Sequence, residues 1–359
     1  MAQQIRFCSS ADGTRIAYTT DGSGPPLVRS AFYLNHLELD WQCPVWKPYL
    51  EEFSRQHSLL RHDMRGFGLS DREPAEMSLD AWVKDLEAVV DAAGLERFPL
   101  IGMCHGGAIA IEYAARHPER VSHLVLFGAY ARGALRRATT PGQREARELL
   151  VKLAELGWGT ENAAFRQVWP ALLQPTGSPE RLRALAELQQ KSSTGAVAAR
   201  LLRAAGELDI TGSAPKVQCP TLVLHPKDDR AAPFAEGRLV AALIPGAKLV
   251  SLDSANHVLT EVEPAWGEFL AELRAFLPAS ANARARSSEL QALTGREMEI
   301  LERIAQGLDN AQIAAHLEMA EKTVRNHITR IFDKLAVENR GQAIVRARES
   351  GLGLKGALA

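Results

Sequence analysis

A cysteine at the end of an apolar run lies in a sequence context that favours nucleophilic chemistry. The run from Phe98 ends in a Gly-x-Cys-x-Gly motif centred on Cys104, and an Ala/Ile-rich helical pattern follows. Glycines on both sides of the cysteine predict a strand, a sharp turn and a helix, an arrangement called a nucleophile elbow. Unpaired N–H groups at a helix N-terminus favour a thiolate or an oxyanion, so we expect Cys104 to attack a carbonyl carbon. The alternative is a small buried cysteine that only packs.

Segments with a strand pattern alternate with helical patterns around this elbow and predict the sheet that positions it. Such alternation is typical of a parallel α/β sheet. Asp12-Gly13, between the first two segments, indicates a hairpin. Between Tyr130 and Gly212 the amphipathic helical pattern predicts an inserted helical lid over about 131–212. The predicted strands are 5–9, 14–20, 25–30, 57–62, 99–103, 121–127, 221–225 and 248–252.

Together these features resemble the α/β-hydrolase family over about residues 5–277. The resemblance rests on the elbow, on the Asp-Met-Arg-Gly-Phe-Gly-Leu-Ser-Asp turn at 63–71, and on Asp229 and His257, each of which follows a predicted strand. In that family the nucleophile, the acid and the histidine follow one another along the chain. The resemblance therefore implies a triad in which Cys104 attacks, His257 takes the thiol proton and Asp229 orients the imidazole.

Two of these assignments have alternatives. Asp228 is adjacent to the proposed acid, but Asp229 matches the Gly-x-x-Asp spacing of the family, with Pro226 in place of the glycine. A loop carboxylate that caps a turn is the non-catalytic interpretation of Asp229. The non-catalytic interpretation of His257 is a structural histidine whose ring nitrogens are hydrogen-bonded.

The loop after the third predicted strand departs from the family pattern. Many α/β-hydrolases have His-Gly there, and this chain has Ala31-Phe32. In the family this loop supplies one oxyanion N–H, and the residue after the nucleophile, here His105, supplies the other. We expect a phenylalanine at the glycine position to narrow the approach, and losing one donor costs on the order of 10²–10³ in rate, which puts turnover in doubt. The predicted oxyanion and ligand pocket comprises Phe32, Tyr33, His105 and Trp158.

A small, polar and aperiodic run at residues 279–288 predicts a linker, and a shorter helical region follows it. Three of its segments open with the spacing of a capping box, and the second and third are close enough for a helix-turn-helix. The predicted helices are 295–306, 310–317, 321–335 and 340–350. We therefore predict two domains, residues 1–278 and 289–359.

The third helix of this region carries a basic outward face. Between residues 322 and 348 seven basic residues accompany two acidic ones, an excess of five positive charges that favours phosphate contacts. A solvated basic face is the alternative. The inward stripe is Val324, Ile328, Ile331 and Leu335. The predicted DNA-binding residues are Lys322, Thr323, Arg325, Asn326, Arg330 and Lys334.

The same region resembles the LuxR-type DNA-binding domain over residues 293–351. The matches include Leu-Thr-x-Arg-Glu from Leu293 and Thr-Val-Arg-Asn-His from Thr323, whereas Ala320 replaces the usual serine N-cap at a cost of ~1 kcal/mol. The resemblance implies binding to double-stranded DNA and a homodimer formed through the fourth helix. A small helical bundle that mediates protein contact is the alternative.

Composition limits the remaining function classes. A chain of 359 residues exceeds what one core usually serves, and a net charge of -1 gives no general affinity for polyanions. The four cysteines form no close pair, so neither a disulfide framework nor a metal site is predicted, and no cofactor is expected. The N-terminus lacks the apolar core of a signal peptide, and no apolar run reaches ~18 residues. We therefore expect a cytoplasmic protein without a membrane partner.

A sensor joined to an output domain is the function that these predictions favour. The α/β-hydrolase-like domain would bind a small, apolar, carbonyl-bearing molecule in a Cys-His-Asp pocket, and the C-terminal domain would bind promoter DNA. The alternative is an active thiol hydrolase or acyltransferase, similar to an esterase or thioesterase, that carries an accessory DNA-binding domain.

Overall fold

The computed structural model describes residues 3–278, 290, 292–349 and 352–353. The chain divides into two compact units, Met1–Pro278 and Ala279–Ala359. The predicted linker, 279–288, lies outside the described residues, and the exact domain bounds stay a prediction. Across the part that the structure describes, no helix is long and apolar enough to span a membrane.

The first unit is built on an eight-stranded sheet with the order β1-β2-β4-β3-β5-β6-β7-β8. The first two strands form the predicted antiparallel hairpin, β2 pairs antiparallel with β4, and the pairs from β4 through β3 to β8 are parallel. β5 is buried along its whole length, as expected for a strand covered on both faces. The strands are β1 (Ile5–Ser9), β2 (Arg15–Gly22), β3 (Pro26–Arg29), β4 (Ser58–His62), β5 (Phe98–Met103), β6 (Val121–Phe127), β7 (Thr221–Pro226) and β8 (Lys248–Leu252).

Helices cover both faces of this sheet and form the insertion predicted after β6. The helices that pack on the sheet are α1 (Lys47–Ser54), α2 (Leu79–Ala92), α3 (His105–Arg116), α8 (Phe234–Leu243) and α9 (Pro264–Phe276). The insertion contains α4 (Pro141–Gly157), α5 (Ala163–Leu173), α6 (Pro179–Ser192) and α7 (Gly195–Gly206). The parallel strands, the alternating helices and the lid confirm the predicted α/β fold class.

The second unit is helical in its described part. Its helices are α10 (Gly295–Ala305), α11 (Asn310–His316), α12 (Glu321–Lys334) and α13 (Arg340–Glu349). Thr294 opens α10 and Asp309 opens α11, each with a complete capping box, as predicted. The predicted inward stripe of α12 is buried and packs in a core with residues of α10, α11 and α13.

Candidate functional site

Cys104 lies in the sharp turn between β5 and α3, as the motif predicts. Its φ of 52° and ψ of -128° are unusual for a residue with a side chain and place it as the N-cap of α3. The Cys104 N–H donates to the carbonyl of Phe127 at 3.0 Å, which ties the turn to the end of β6. A Cβ at Gly106 would lie 2.6 Å from the carbonyl oxygen of Ala31, so the turn admits only glycine there. The strained turn is the geometry that exposes a nucleophile above a sheet.

Asp229 and His257 form a buried pair, although 28 positions separate them. His257 Nδ1 lies 2.5 Å from Asp229 Oδ2, and both side chains are almost fully buried. The other carboxylate oxygen, Oδ1, accepts the backbone N–H groups of Ala231 and Ala232 at 2.8 and 2.9 Å. The acid is therefore fixed by its own loop and directed at the imidazole.

The charges of the pair support an imidazolium beside the cysteine. Burial favours the neutral imidazole, but the charges of Asp229 and Cys104, with hydrogen bonds to both, raise the pKa of His257 well above its usual value. Burial also opposes ionisation of the acid, yet the charge of His257 keeps the pKa of Asp229 below its usual value. Such an arrangement places a positively charged imidazolium beside the sulfur of Cys104.

His225, at the end of β7, supports the loop of the acid. Its Nε2 lies 2.7 Å from the carbonyl oxygen of Ala232, and the ring is fully buried. It thereby holds the segment whose N–H groups bind Asp229. The sequence carries no motif for this role, because a histidine at a strand end is recognisable as a support only once the loop is seen to fold back on it.

A cavity of ≈ 100 Å³ opens beside Cys104 under the lid. Its polar lining residues are Tyr33, Cys104, Tyr130, Arg137 and Arg147, and aliphatic or aromatic side chains and one glycine form the rest. Burial and the charge of Cys104 raise the pKa of Tyr33 and of Tyr130 well above the usual value, so both phenols stay neutral. The nucleophile therefore faces an apolar space with two hydroxyl groups nearby.

Only one of the four predicted pocket residues other than the triad lines this cavity, namely Tyr33. Phe32 packs inward, with its ring centroid 5.1 Å from Trp46 and 5.9 Å from His105. The Phe32 ring therefore lies in the core and is not among the residues that line the cavity, while its effect on the oxyanion approach stays a prediction. The side chains of His105 and Trp158 are buried there too, and do not line the cavity. His105 keeps its backbone N–H, which has no acceptor within α3.

Residues 34–264 match the family model described as alpha/beta hydrolase fold. The chain belongs to this family. The sheet order and the elbow agree with that membership.

Individual relatives of this alpha/beta hydrolase domain carry hydrolase names. A putative carbamate hydrolase RutD from Azorhizobium caulinodans is 29% identical over 254 residues, covering 69% of this chain and 89% of that protein. A 2-hydroxymuconate semialdehyde hydrolase from a Pseudomonas species is 40% identical over 85 residues, covering 23% of this chain and 30% of that protein. Among solved structures, a hydrolase from Pseudomonas aeruginosa aligns with a TM-score of 0.60 and 25% identity, covering 77% of this chain and 99% of the other.

The second unit contains a helix-turn-helix formed by α11 and α12. The turn reverses at Glu318, which has a φ of 51°, and Ala320 is the N-cap of α12 without a side-chain cap. Residues 291–347 match the family model described as bacterial regulatory proteins of the luxR family. The C-terminal domain is thus a LuxR-type helix-turn-helix, and a domain of this kind implies DNA binding. The predicted contact residues are exposed on α12: Lys322, Thr323, Arg325, Asn326, Arg330 and Lys334.

The basic surface is narrower than the charge count suggests. Lys334 donates to Glu297 Oε2 at 2.7 Å, and that pair lowers the pKa of Glu297 to about 2. Arg340 donates to the carbonyl of Leu308 and to Asn310, and Arg348 to the carbonyl of Ala305. These three cations stabilise the fold of the unit. Within the described residues, three cations predicted for DNA have no such side-chain contact to backbone or core, namely Lys322, Arg325 and Arg330. Arg325 forms an exposed ion pair with Glu321.

Proposed function

We propose that the chain is a ligand-responsive, one-component transcription regulator. Its alpha/beta hydrolase domain binds a small, apolar, carbonyl-bearing molecule beside Cys104, and its C-terminal domain binds promoter DNA. The proposal includes a cytoplasmic location, since that is where bacterial promoter DNA lies, and a homodimer, which is what the LuxR resemblance implies. In the proposed site Cys104 is the nucleophile, His257 its base and Asp229 the group that orients the imidazole.

The presence of two family domains on one chain carries this proposal. A domain that implies DNA binding gives the chain an output, and an alpha/beta hydrolase domain with a cavity beside its elbow gives it a place for a small molecule. A ligand alters DNA binding only if it binds one state of the protein more tightly than another. The proposal therefore requires the affinity of the cavity for its ligand to differ between the two states.

A selection of DNA ligands by the full chain tests the output. We expect a randomised duplex library to yield one preferred sequence, bound with strong salt dependence. Replacing Arg325 or Asn326 singly by alanine should reduce the preference for that sequence by about ten- to a hundredfold, because one side-chain contact to a base edge contributes about 1–3 kcal/mol.

Two further variants separate phosphate contacts from general loss of charge. Lys322→Ala and Arg330→Ala should weaken binding to all sequences, and each should reduce the slope of log K against log salt by about 0.9. Arg303→Ala, a half-buried position on α10, is the control and should leave the slope unchanged. A full chain that binds no duplex in a salt-dependent way would eliminate the regulator proposal.

An active thiol hydrolase or acyltransferase is the second candidate, and one observation favours it. Phe32 packs in the core, and its ring is not among the residues that line the cavity beside Cys104. Steady-state assays with short-chain thioesters and aryl esters distinguish the two. Multiple turnovers that Cys104→Ala abolishes would establish the enzyme, and a single stoichiometric acylation or none would favour the sensor.

A further inference from the structure

Two arginines line the cavity beside Cys104 without an acidic partner. Arg137 follows β6, and Arg147 lies on α4. Arg137 Nη1 donates to the carbonyl of Arg132 at 2.5 Å, and its guanidinium carbon lies 5.6 Å from the ring centroid of Tyr130. Within the described residues neither Arg137 nor Arg147 forms an ion pair, and no lining residue of the cavity is acidic.

The acidic residue with the strongest effect on Arg137 is Glu236, and it already binds another arginine. Glu236 is buried and accepts the side chain of Arg132 at 2.7 Å and its backbone N–H at 2.9 Å. Burial is the largest effect on Arg137 and, together with the positive charges of Arg147 and Arg132, lowers the pKa of its guanidinium. The negative charge of Glu236 opposes this shift but does not cancel it. One carboxylate thus serves both Arg132 and Arg137, which leaves positive charge at the cavity.

Two arginines adjacent in sequence to this pair have acidic partners. Arg136 lies 3.4 Å from Asp209, and Arg144, one turn before Arg147 on α4, pairs with Glu207. Arg136 and Arg144 therefore have acidic partners, whereas no acidic residue lines the cavity beside Arg137 and Arg147. A guanidinium withdrawn from water without a counter-charge is costly, and an anion that binds there removes that cost.

The cavity has a solvent end and a reactive end. Arg137 and Arg147 are half-buried, whereas Cys104, Tyr33 and Tyr130 are buried. Its volume of ≈ 100 Å³ is somewhat below the roughly 150 Å³ of a protein cavity that holds benzene. A ligand that reaches from one end to the other therefore carries about one ring or a short chain between its two polar ends.

We propose that this cavity selects small monocarboxylates, with the carboxylate held by Arg137 and Arg147 and the opposite end of the molecule against Cys104. The inference rests on the proposed function, because it names the class of molecule that the sensor binds. Two guanidinium groups favour a carboxylate over a neutral amide of the same shape. The apolar lining between the ends excludes polyhydroxylated molecules, whose hydroxyl groups would find no partners there.

A pair of alkylating probes tests this selection on the full chain. Cys104 as thiolate displaces bromide from the benzylic carbon of 4-(bromomethyl)benzoate or of the neutral 4-(bromomethyl)benzamide, and bromide leaves with the electron pair. The two rates at Cys104, each divided by the rate with free cysteine, are measured by peptide mass spectrometry. We expect the corrected ratio to favour the carboxylate about tenfold in the wild type.

Matched variants identify the groups that produce the ratio. Arg147→Met should lower it about threefold, and the combination with Arg137→Met should bring it to that of free cysteine. The Arg147 side chain forms no hydrogen bond or ion pair among the described residues, so we expect its replacement to leave the fold intact. Arg144→Met is the control on the same helix and should leave the ratio unchanged. When Arg137→Lys replaces Arg137→Met in the double variant, part of the preference for the carboxylate should return.

The opposite outcomes are equally clear. A corrected ratio near one in the wild type overturns the proposal, as does a ratio that Arg147→Met and the double variant leave unchanged, and so does a Cys104 that neither probe labels. None of these measurements involves DNA. A protein that fails them and still binds its duplex keeps the regulator proposal and loses only the carboxylate.

Discussion

At the scale of single residues, Cys104 is the position where backbone strain and charge coincide. Its left-handed φ places it at the N-terminus of α3, and the pair of His257 and Asp229 is buried beside it. Because the pKa of His257 is raised, its imidazolium persists at neutral pH and is lost only as the pH rises through that raised pKa. A positive charge therefore lies beside the sulfur of Cys104 at and below neutral pH.

Alkylation by iodoacetamide tests this interpretation. At pH 7 a free thiol is only a few per cent ionised, so an ion-paired Cys104 should react about tenfold faster than it does in His257→Ala, after allowance for the weaker nucleophilicity of a more acidic thiol. The advantage should shrink above about pH 8.5, where the unpaired thiol ionises by itself. Mass spectrometry of the Cys104 peptide gives both rates, and equal rates at pH 7 would make Cys104 a packing residue.

The sequence carries more information about the positions of Cys104, Asp229 and His257 than about the lining of the pocket. The chain order of nucleophile, acid and histidine is visible in sequence, and the structure brings those three side chains together. The aromatic residues were harder, because whether Phe32 or Trp158 points at the cavity or into the core depends on packing that no local pattern encodes. Arg137 and Arg147 lie in a helical stretch rich in arginine, where only the fold separates cavity residues from surface ones.

At the scale of elements, capping explains why the helices of the second unit start where they do. The boxes at Thr294 and Asp309 match the sequence pattern in full. The third differs in one contact, since Asn339 accepts the N–H of Gln342 as expected but the Gln342 side chain accepts the N–H of Glu338 instead. Strands and helices can likewise be predicted from hydrophobic periodicity, because both depend on residues that are close in sequence. Contacts between residues far apart in sequence decide which faces of these elements form a site.

The uncapped start of α12 gives a prediction at this scale. Ala320 has φ -70° and ψ 138°, the backbone of an N-cap, with no side-chain bond. Ala320→Ser should add the missing acceptor and stabilise α12 by ~1 kcal/mol. Hydrogen exchange of the α12 peptides in the full chain should slow about fivefold. The matched change Thr294→Ala removes a cap from α10 and should speed exchange there, and unchanged α12 exchange in Ala320→Ser would contradict the assignment of Ala320.

At the scale of the whole molecule, two domains with different functions need a ligand to bias one state over another. A differential affinity of about 100-fold supplies about 2.7 kcal/mol, enough to switch a modestly biased equilibrium. The arginines and the apolar lining lie in the cavity independently of the sulfur of Cys104. Most of the binding free energy of a small carboxylate should therefore survive when the nucleophile is removed.

Cys104→Ala tests whether occupancy or a covalent bond is the signal. A reporter driven by the selected duplex sequence is tested against small monocarboxylates that carry a methyl ester at the opposite end, from which attack by Cys104 would release methanol, and against the matching amides of the carboxylate. The carboxylate that alters wild-type expression is used for the variants. We expect Cys104→Ala to respond to it, and to respond longer if the wild type turns the ligand over. A Cys104→Ala protein that binds DNA normally and ignores the ligand, beside a Cys104→Ser protein that responds through a longer-lived ester, would make the thioester the signal instead, because only the covalent bond would then distinguish the two states.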